Sequence, residues 1–303
     1  MVLGAVIDFS EIFERDRVSR LYENHGKSAA GDPRGIMRRS APLATITLAL
    51  FAAIGLLSPG MTGRLGADDK AEKKPDKVVR VLFLGNSLTA VNDVPAMVQA
   101  MAATGGVRMH CKSFTPGGVS LEDHWQSGEG RRLLAGSKWN YLVVQQGPSS
   151  RPESQVNLRE WAIKWADEAR AHGAEPALYM VWPFDGQKDG FNLVAQSYRE
   201  AANASKSLLF PTGEAWAKAL NGSNPIQLYQ PDKLHPTLAG SYLAALVITQ
   251  GLIKVKPSAI PSKLILPSGK TITLPEDQAK DLRECAEKSV EEKGTSKSTQ
   301  PDK

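Results

Sequence analysis

The sequence has few of the features that mark specialised protein classes. Its 303 residues include only two cysteines, Cys111 and Cys285, which excludes a disulfide-rich scaffold and a cysteine-based zinc site. Neither sign of charge is in large excess, because 37 Lys and Arg accompany 32 Asp and Glu, so we expect no nucleic-acid-binding surface. With 42% apolar and 23% charged residues, the composition is that of an ordinary globular protein.

Motifs for metals and cofactors are also missing. The sequence contains no His-Glu-x-x-His and no Gly-x-x-x-x-Gly-Lys-Ser/Thr phosphate loop, and no Gly-x-Gly-x-x-Gly follows the first predicted strand. We therefore expect no cofactor and no metal. Any chemistry must then come from the protein's own side chains.

One long apolar run is present near the N-terminus. Ala41–Leu57 follows the basic pair Arg38-Arg39, a layout that predicts a secretory signal peptide cleaved after Leu65-Gly66-Ala67, or an uncleaved membrane anchor. The run lies unusually far from Met1, so Met37 is an alternative start. Either interpretation predicts an exported protein, whether periplasmic, secreted or at the cell surface, and a membrane-anchored one if the leader is not cleaved.

The rest of the chain divides by composition. The charged segment 68–77 has nothing apolar to bury, which predicts a linker, and the polar C-terminal end predicts a disordered tail. The predicted organisation is an N-terminal extension with signal peptide or anchor (1–67), a linker (68–77), a main domain (78–256), a C-terminal appendage (257–290) and a disordered tail (291–303).

Short apolar runs alternate with amphipathic segments through the main domain. This alternation with short links predicts a five-stranded parallel sheet covered by helices on both faces. The predicted strands are Val78–Leu84, Val107–Phe114, Tyr141–Gln145, Ala177–Trp182 and Leu208–Phe210, and the predicted helices are Val94–Ala103, Ser120–Leu134, Asn157–Ala171, Phe191–Ser205 and Thr237–Ile253.

The C-terminal appendage carries a hairpin signal. Pro267-Ser268-Gly269 separates two short apolar runs, and a predicted helix, Glu276–Val290, follows them. The segment is too small to fold alone, so we expect it to dock on the sheet domain.

A serine stands directly after the first predicted strand. Open parallel sheets collect ligands and catalytic groups at the carboxyl ends of their strands, so a site is expected there. In Gly85-Asn86-Ser87 the glycine permits a tight turn, which projects the Ser87 hydroxyl and amide above the sheet edge. A purely structural interpretation is that Ser87 caps the helix that follows.

A serine nucleophile needs a base, and one histidine has a suitable context. His235 lies in the segment Pro231–Pro236, directly before the last predicted helix. Asp232 precedes it by three residues, so one turn can bring the carboxylate to the imidazole and fix its tautomer. The alternative is a turn aspartate beside an unrelated surface histidine. The other histidines lie in the N-terminal extension, in a strand or on helices: His25, His110, His124 and His172.

Three blocks together resemble a known family. Gly85-Asn86-Ser87, Gly117-Gly118 and Asp232-Lys233-Leu234-His235-Pro236 are similar to the signature blocks of the SGNH (GDSL-like) hydrolases, over residues 78–255. The resemblance implies a flavodoxin-like three-layer α/β/α sandwich and serine acyl hydrolysis. Ser87 would be the nucleophile, His235 the base and Asp232 its orienting group. The amides of Ser87 and Gly118 would then stabilise the oxyanion.

The third oxyanion donor of the family departs from the pattern. Where the family has Gly-x-Asn-Asp after the third strand, this chain has Gln145-Gln146-Gly147-Pro148. A glutamine side chain also carries an NH₂ donor, so we predict that Gln145 replaces the asparagine. Gln146 is the competing candidate, because successive residues of a strand face opposite sides and only one can reach the site.

Two tryptophans are candidates for contact with substrate. Trp125 and Trp182 lie near the predicted rim of the sheet, whereas the helical spacing of Trp161 and Trp165 favours the core. Cys111 and Cys285 are consistent either with a disulfide or with two buried thiols.

The sequence thus favours an exported serine esterase acting on a small-molecule or glycan ester, such as an O-acetyl group. The missing asparagine keeps open a second hypothesis, a catalytically silent glycan-binding or surface module with the same fold. A third is an acyltransferase that uses the same residues. No nucleic-acid partner is expected, and contact with a membrane is expected only through the N-terminal segment.

Overall fold

The computed structural model describes residues 78–187, 189–222 and 225–295, with side chains described as far as residue 290. The predicted leader (1–67), the predicted linker (68–77) and residues 296–303 of the predicted tail lie outside the described residues. Within the described ranges, no helix is both long enough and apolar enough to cross a membrane.

Five parallel strands form the central sheet. They are β1 (Val79–Leu84), β2 (Met109–Phe114), β3 (Tyr141–Val144), β4 (Glu175–Tyr179) and β5 (Leu208–Phe210). Their spatial order is β2-β1-β3-β4-β5, the order of flavodoxin-like sheets. The order of the strands therefore reverses beside β1, the position at which open α/β sheets bind their ligands.

Helices cover both faces of this sheet. They are α1 (Ser87–Ala90), α2 (Val94–Thr104), α3 (Leu121–Ser127), α4 (Glu129–Ala135), α5 (Pro152–Ala171), α6 (Gly190–Ser205), α7 (Thr212–Leu220) and α8 (Leu238–Ile253). Because crossover connections are right-handed, the reversal beside β1 places α2 on one face of the sheet and α5 and α6 on the other. Helix α2 packs against β2 and α8, whereas α5 contacts β3 and β4 and packs against α6. The predicted three-layer α/β/α sandwich is confirmed.

The core fills the space on both sides of the central strands. All but the first one or two residues of β1, β3 and β4 are buried, as their continuous apolar runs predict. Burial of these runs is the main favourable contribution to folding. It also makes the sheet edge that follows them a rigid platform.

Two helical predictions need correction. The predicted helix Ser120–Leu134 is broken at Gly128, whose φ of +72° separates α3 from α4. Helix α7 was not predicted, because Gly213 in its first turn is a poor helix former. A Cβ at Gly213 would collide with the carbonyl of Val181, so close packing on the segment that follows β4 requires the glycine there.

The C-terminal segment forms a two-stranded hairpin and a helix. Strands β6 (Lys263–Ile265) and β7 (Thr271–Thr273) pair antiparallel, and helix α9 (Glu276–Thr295) contacts α7 and α8. Arg283 on α9 donates to the carbonyl of Ile260 at 2.8 Å. The helix runs five residues beyond its predicted end at Val290, so the first part of the predicted disordered tail is helical.

Candidate active site

The turn after β1 presents Ser87 at the sheet edge. Asn86, not Ser87, is the N-cap of α1, because its Oδ1 accepts the N–H of Leu88 at 3.1 Å. Ser87 is therefore the first residue of the helix, and its hydroxyl is not used as a cap. The carbonyl of Gly85 accepts a hydrogen bond from His124 Nε2 at 2.8 Å, which anchors the start of the turn to α3.

The loop before α8 presents Asp232 and His235. Lys233 adopts a φ of +63°, and the N–H of Gln230 donates to the carbonyl of His235 at 2.8 Å, so the loop closes on itself. The carbonyl of Leu234 accepts the indole N–H of Trp182 at 2.9 Å. These contacts tie the loop to the segment that follows β4.

The structure brings Ser87, His235 and Asp232 into one hydrogen-bonded row. His235 Nε2 lies 2.9 Å from Ser87 Oγ, and His235 Nδ1 lies 2.6 Å from Asp232 Oδ2. Since an ionised carboxylate only accepts, Nδ1 carries the proton and Nε2 is left to accept the proton of Ser87. The geometry is that of a nucleophile, a base and an orienting group.

The Asp232 carboxylate is held in its ionised form. Burial acts to raise the pKa of Asp232, but the N–H groups of Leu234 and His235 and the imidazole donate to it and lower the pKa overall. The carboxylate side chain is still 48% exposed and the imidazole 23% exposed. This half of the site is therefore open to solvent.

Two backbone N–H groups, those of Ser87 and Gly118, make no hydrogen bond within the described residues. Gly118 has a φ of +71°, which glycine adopts without strain. Unpaired N–H groups near a nucleophile can stabilise a developing oxyanion.

Comparisons with known proteins agree with this fold. No protein-family model and no curated protein matches the chain. Among solved structures, the chain is similar to a candidate SGNH hydrolase from Slackia heliotrinireducens, at 28% identity and a TM-score of 0.50 over 58% of this chain and 100% of that chain. This similarity supports an SGNH-like hydrolase family for the chain. At the level of this family, the predictions of the fold and of a serine ester hydrolase are confirmed.

A second solved structure shares the fold alone. It is a DUF4886 family protein from Bacteroides uniformis, 18% identical with a TM-score of 0.59, and the match covers 71% of this chain and 95% of that chain. The C-terminal hairpin and α9 of this chain follow the residues that resemble the family blocks.

Gln145 does not fit the predicted oxyanion role. Its side chain is 1% exposed and both of its amide N–H groups are used, by Asn86 Oδ1 at 3.0 Å and by the carbonyl of Gln146 at 2.6 Å. Its Oε1 accepts the backbone N–H of Asn86, which fixes the orientation of the amide. No donor is left for an oxyanion, because the strand ends with this side chain turned into the protein.

Gln146 faces the other side, as alternation along the strand predicts. Its Oε1 accepts the N–H of Leu121 at 3.1 Å, and its Nε2 donates to Ser149 Oγ at 3.3 Å. Among the described residues, the second N–H of this amide has no partner. Gln146 is thus held at the start of α3, which the loop of Gly118 precedes, and is the better candidate for a third donor.

Trp182 is not a substrate-binding residue. It is fully buried and stacks on Trp216, with ring centroids 3.5 Å apart. Its hydrogen bond to Leu234 gives it a role under the histidine loop. Its position at the end of a predicted strand placed Trp182 near the rim of the sheet, but its ring is buried in the core.

Trp125 packs on α5 and away from the catalytic row. Its ring lies against Trp161 and Trp165, with centroids 5.9 and 5.2 Å away, and the guanidinium of Arg131 lies over it at 4.9 Å. The ring is half-buried, and within the described residues no ring contact or hydrogen bond joins it to Ser87, Asp232 or His235. Its predicted role in substrate binding stays a prediction.

Asn92 joins the two halves of the site, and the sequence did not single it out. Its Nδ2 donates to the carbonyl of Pro236 at 3.3 Å and to Ser241 Oγ at 3.0 Å, and Ser241 Oγ donates to the carbonyl of Val91. The segment after Ser87 is thereby tied to the residue after His235. Asn92 has a φ of +59°, which asparagine tolerates better than most residues.

His124, which the sequence placed on a helix, anchors the turn of Ser87 through its hydrogen bond to the carbonyl of Gly85. Burial lowers the pKa of His124, although its bond to Gly85 and the nearby Asp123 act to raise it, so the imidazole is neutral. Ser120 and Asp123 form a capping box at the start of α3.

Cys111 and Cys285 are both free, which excludes the disulfide. Burial raises the pKa of the Cys111 thiol to about 12, so it is unreactive. In the part of the chain that the structure describes, no group of three or more His, Cys, Asp or Glu side chains is arranged to hold a metal ion.

Proposed function

We propose that this SGNH-like hydrolase cleaves carboxylic esters through an acyl-enzyme on Ser87. The observation that carries the proposal is the 2.9 Å contact between Ser87 Oγ and His235 Nε2, two residues that lie 148 positions apart in the chain. A hydroxyl attacks a carbonyl carbon only when a base can take its proton, and this contact supplies the base.

The proposed reaction has two matched halves. Ser87 Oγ attacks the ester carbonyl while His235 Nε2 takes its proton, and His235 then protonates the departing alcohol. In the second half, water attacks the acyl carbon while His235 Nε2 takes its proton. His235 then returns a proton to Ser87 Oγ as the bond to the acyl group breaks and the acid is released. Asp232 keeps the Nδ1 proton in place and stabilises the imidazolium that forms in each half.

The N–H groups of Ser87 and Gly118 are proposed to hold the oxyanion, with the free N–H of Gln146 as a third donor. Two backbone donors and one amide match the number that serine hydrolases of this type need. Each such donor contributes about 10²- to 10³-fold to turnover.

The substrate we propose is a small acyl ester on a large, exposed carrier, such as an O-acetyl group on a glycan. In support, the Asp232 carboxylate is 48% exposed, so the site is shallow at the histidine loop and leaves room for a bulky alcohol. The leader predicted from Ala41–Leu57 supports export to the compartment where such glycans occur.

A fluorophosphonate probe tests the nucleophile. Wild type is expected to be labelled and to hydrolyse p-nitrophenyl acetate, and Ser87→Ala is expected to lose both. Ser113→Ala, which removes an exposed serine on β2, serves as the matched control and is expected to keep both activities. Folded wild type that takes no label would overturn the proposal and favour a silent glycan-binding module.

The substrate class needs a separate experiment. Acetylated xylan and short acyl esters are supplied to wild type and to Ser87→Ala, and released acetate is measured. Acceptor sugars are then added and the products analysed for new esters. Free acid alone supports hydrolysis, whereas a new ester on the sugar would identify an acyltransferase and contradict the proposal.

A further inference from the structure

Gln145 makes two hydrogen bonds with Asn86, the residue before the proposed nucleophile. Its Oε1 accepts the backbone N–H of Asn86 at 2.9 Å, and its Nε2 donates to the side-chain Oδ1 of the same residue at 3.0 Å. The two contacts close a ring between the two amide side chains. They fix both the main chain and the side chain of Asn86, and thus the direction in which the chain enters Ser87.

The same amide also reaches the helix that follows. Thr89 Oγ1 donates to Gln145 Oε1 at 2.7 Å. A Cβ at Gly85 would come within 2.6 Å of both Gln145 Oε1 and Thr89 Oγ1, so the turn can wrap the amide only because residue 85 is glycine. Gln145 therefore contacts the turn on both sides of Ser87 without contacting Ser87 itself.

Asn86 passes this constraint to the second oxyanion donor. Its Nδ2 donates to the carbonyl of Val119 at 3.1 Å, and Val119 directly follows Gly118. Asn86 is only 7% exposed, so these contacts lie where water does not compete for them. The chain of contacts runs from Gln145 through Asn86 to the loop of Gly118.

We infer that Gln145 is a positioning residue that acts through Asn86 to hold the N–H groups of Ser87 and Gly118 in the arrangement of an oxyanion hole. The inference rests on the proposed function. It assigns to Gln145 a task different from donating to the oxyanion, since its own donors are used. Catalysis of this kind depends on donors that are aligned before the reaction begins.

A double-mutant cycle tests the inference. Gln145→Met keeps the length of the side chain and removes its polar atoms, and Asn86→Ala removes the residue through which it acts. With p-nitrophenyl acetate we expect each single variant to lower kcat about 10- to 100-fold, with KM within about twofold of wild type. Because both changes break one chain of contacts, the kcat of the double variant should lie within about threefold of the kcat of the less active single variant.

Gln146→Met is the matched comparison for the same cycle. If Gln146 is an independent donor, the fold-loss in kcat of the double variant Gln146→Met with Asn86→Ala should equal the product of the two single fold-losses. If the losses of Gln145→Met and Asn86→Ala multiply instead, or if Gln145→Met has wild-type kcat, the inference is wrong. Where Gln145→Met does not fold, Gln145→Glu carries the same test, because it keeps the acceptor contacts and loses the two N–H donors.

A general loss of stability must be separated from a loss of positioning. Leu282→Ala removes a fully buried side chain on α9 and is expected to lower the Tm while kcat per folded molecule stays at the wild-type value. If kcat falls with Tm in that variant as it does in Gln145→Met, the role of Gln145 is merely structural. If wild type neither hydrolyses ester nor reacts with fluorophosphonate, the proposed function itself is wrong. This result is obtained with wild type alone, before any Gln145 variant is made.

Discussion

The serine half and the histidine half of the site are built in opposite ways. Most of the turn of Ser87 is buried, and the side chains of Gln145, just after β3, and of His124 on α3 hold it from the inside. Asn86 is only 7% exposed. The loop of His235 lies at the surface and is held mainly by its own backbone, with the Asp232 carboxylate 48% exposed. The comparison teaches that the turn of Ser87 is fixed by hydrogen bonds from buried side chains, whereas the loop of His235 is fixed mainly by hydrogen bonds within the loop.

This difference predicts where each half is vulnerable. Buried polar contacts cannot be replaced by water when they are broken, so substitutions in the serine half should cost both activity and stability. Exposed contacts can be replaced by water, so substitutions in the histidine half should cost activity with little loss of stability.

The largest effect is expected for Asp232→Asn. The amide can keep the contacts of Oδ1 with the N–H groups of Leu234 and His235, but its NH₂ then faces His235 Nδ1 and favours the wrong tautomer. We expect kcat to fall about 10³- to 10⁴-fold with an almost unchanged Tm. Steady-state kinetics with p-nitrophenyl acetate, together with a thermal melt, measure both.

Asp185→Asn is the control for that variant. Asp185 lies on the neighbouring loop and is exposed, and its backbone N–H, not its carboxylate, contacts the histidine loop. Its kcat should stay within about twofold of wild type. Near-normal turnover of Asp232→Asn would show that Asp232 does not take part in catalysis.

A smaller effect is expected where Asn92 joins the two halves. Asn92→Gly keeps the backbone at a φ of +59° and removes the side chain that binds Pro236 and Ser241. We expect kcat to fall about 5- to 50-fold with little change in KM, because the distance between Ser87 and His235 is no longer fixed.

Asn92→Ala separates the tether from backbone strain. It should lose the same activity as Asn92→Gly and a further ~1 kcal/mol in the free energy of unfolding, since alanine is strained at a positive φ. Denaturant unfolding measures that difference. Wild-type kcat in Asn92→Gly would mean that the two halves keep their register without this contact.

The smallest effect is a pH dependence of stability. The pKa of Asp232 is lowered from its ordinary value of 3.8, so the ionised carboxylate stabilises the folded protein above that value, and this contribution is lost as the pH falls through the lowered pKa. Urea unfolding of wild type and Asp232→Asn at a series of pH values should show a small difference at pH 6 that disappears in acid. A difference that grows in acid would contradict the assigned direction.

Much of this fold could be predicted because its signals are local. The buried strands β1, β3 and β4 appear as short apolar runs, and the capping box of Ser120 and Asp123 is visible in the sequence. Ser87 and His235 were identified from the positions they take relative to predicted elements, since parallel strands end at a common edge. The break at Gly128 and helix α7 were missed, because packing there overrode weak local preferences.

The oxyanion side shows where such reasoning stops. Gln145 and Gln146 are neighbours of one residue type, and no pattern tells which amide is free. Gln145 is engaged by Asn86 and Thr89, and only the folded chain brings these groups to it. Trp182 failed for the same reason, since a ring just past a strand can turn either to the rim or to the core.

The amino-acid sequence by itself determined the alternating layers, the edge at which the site forms and the residue types that meet there, because apolar periodicity and the handedness of crossovers act on short stretches of chain. Only the tertiary structure decided which polar atoms are consumed and which stay free for a substrate. That choice depends on partners such as Asn86 with Gln145 and Ser87 with His235, which lie 59 and 148 positions apart. Whether a donor is satisfied is a property of its neighbours in space, and no local pattern encodes it.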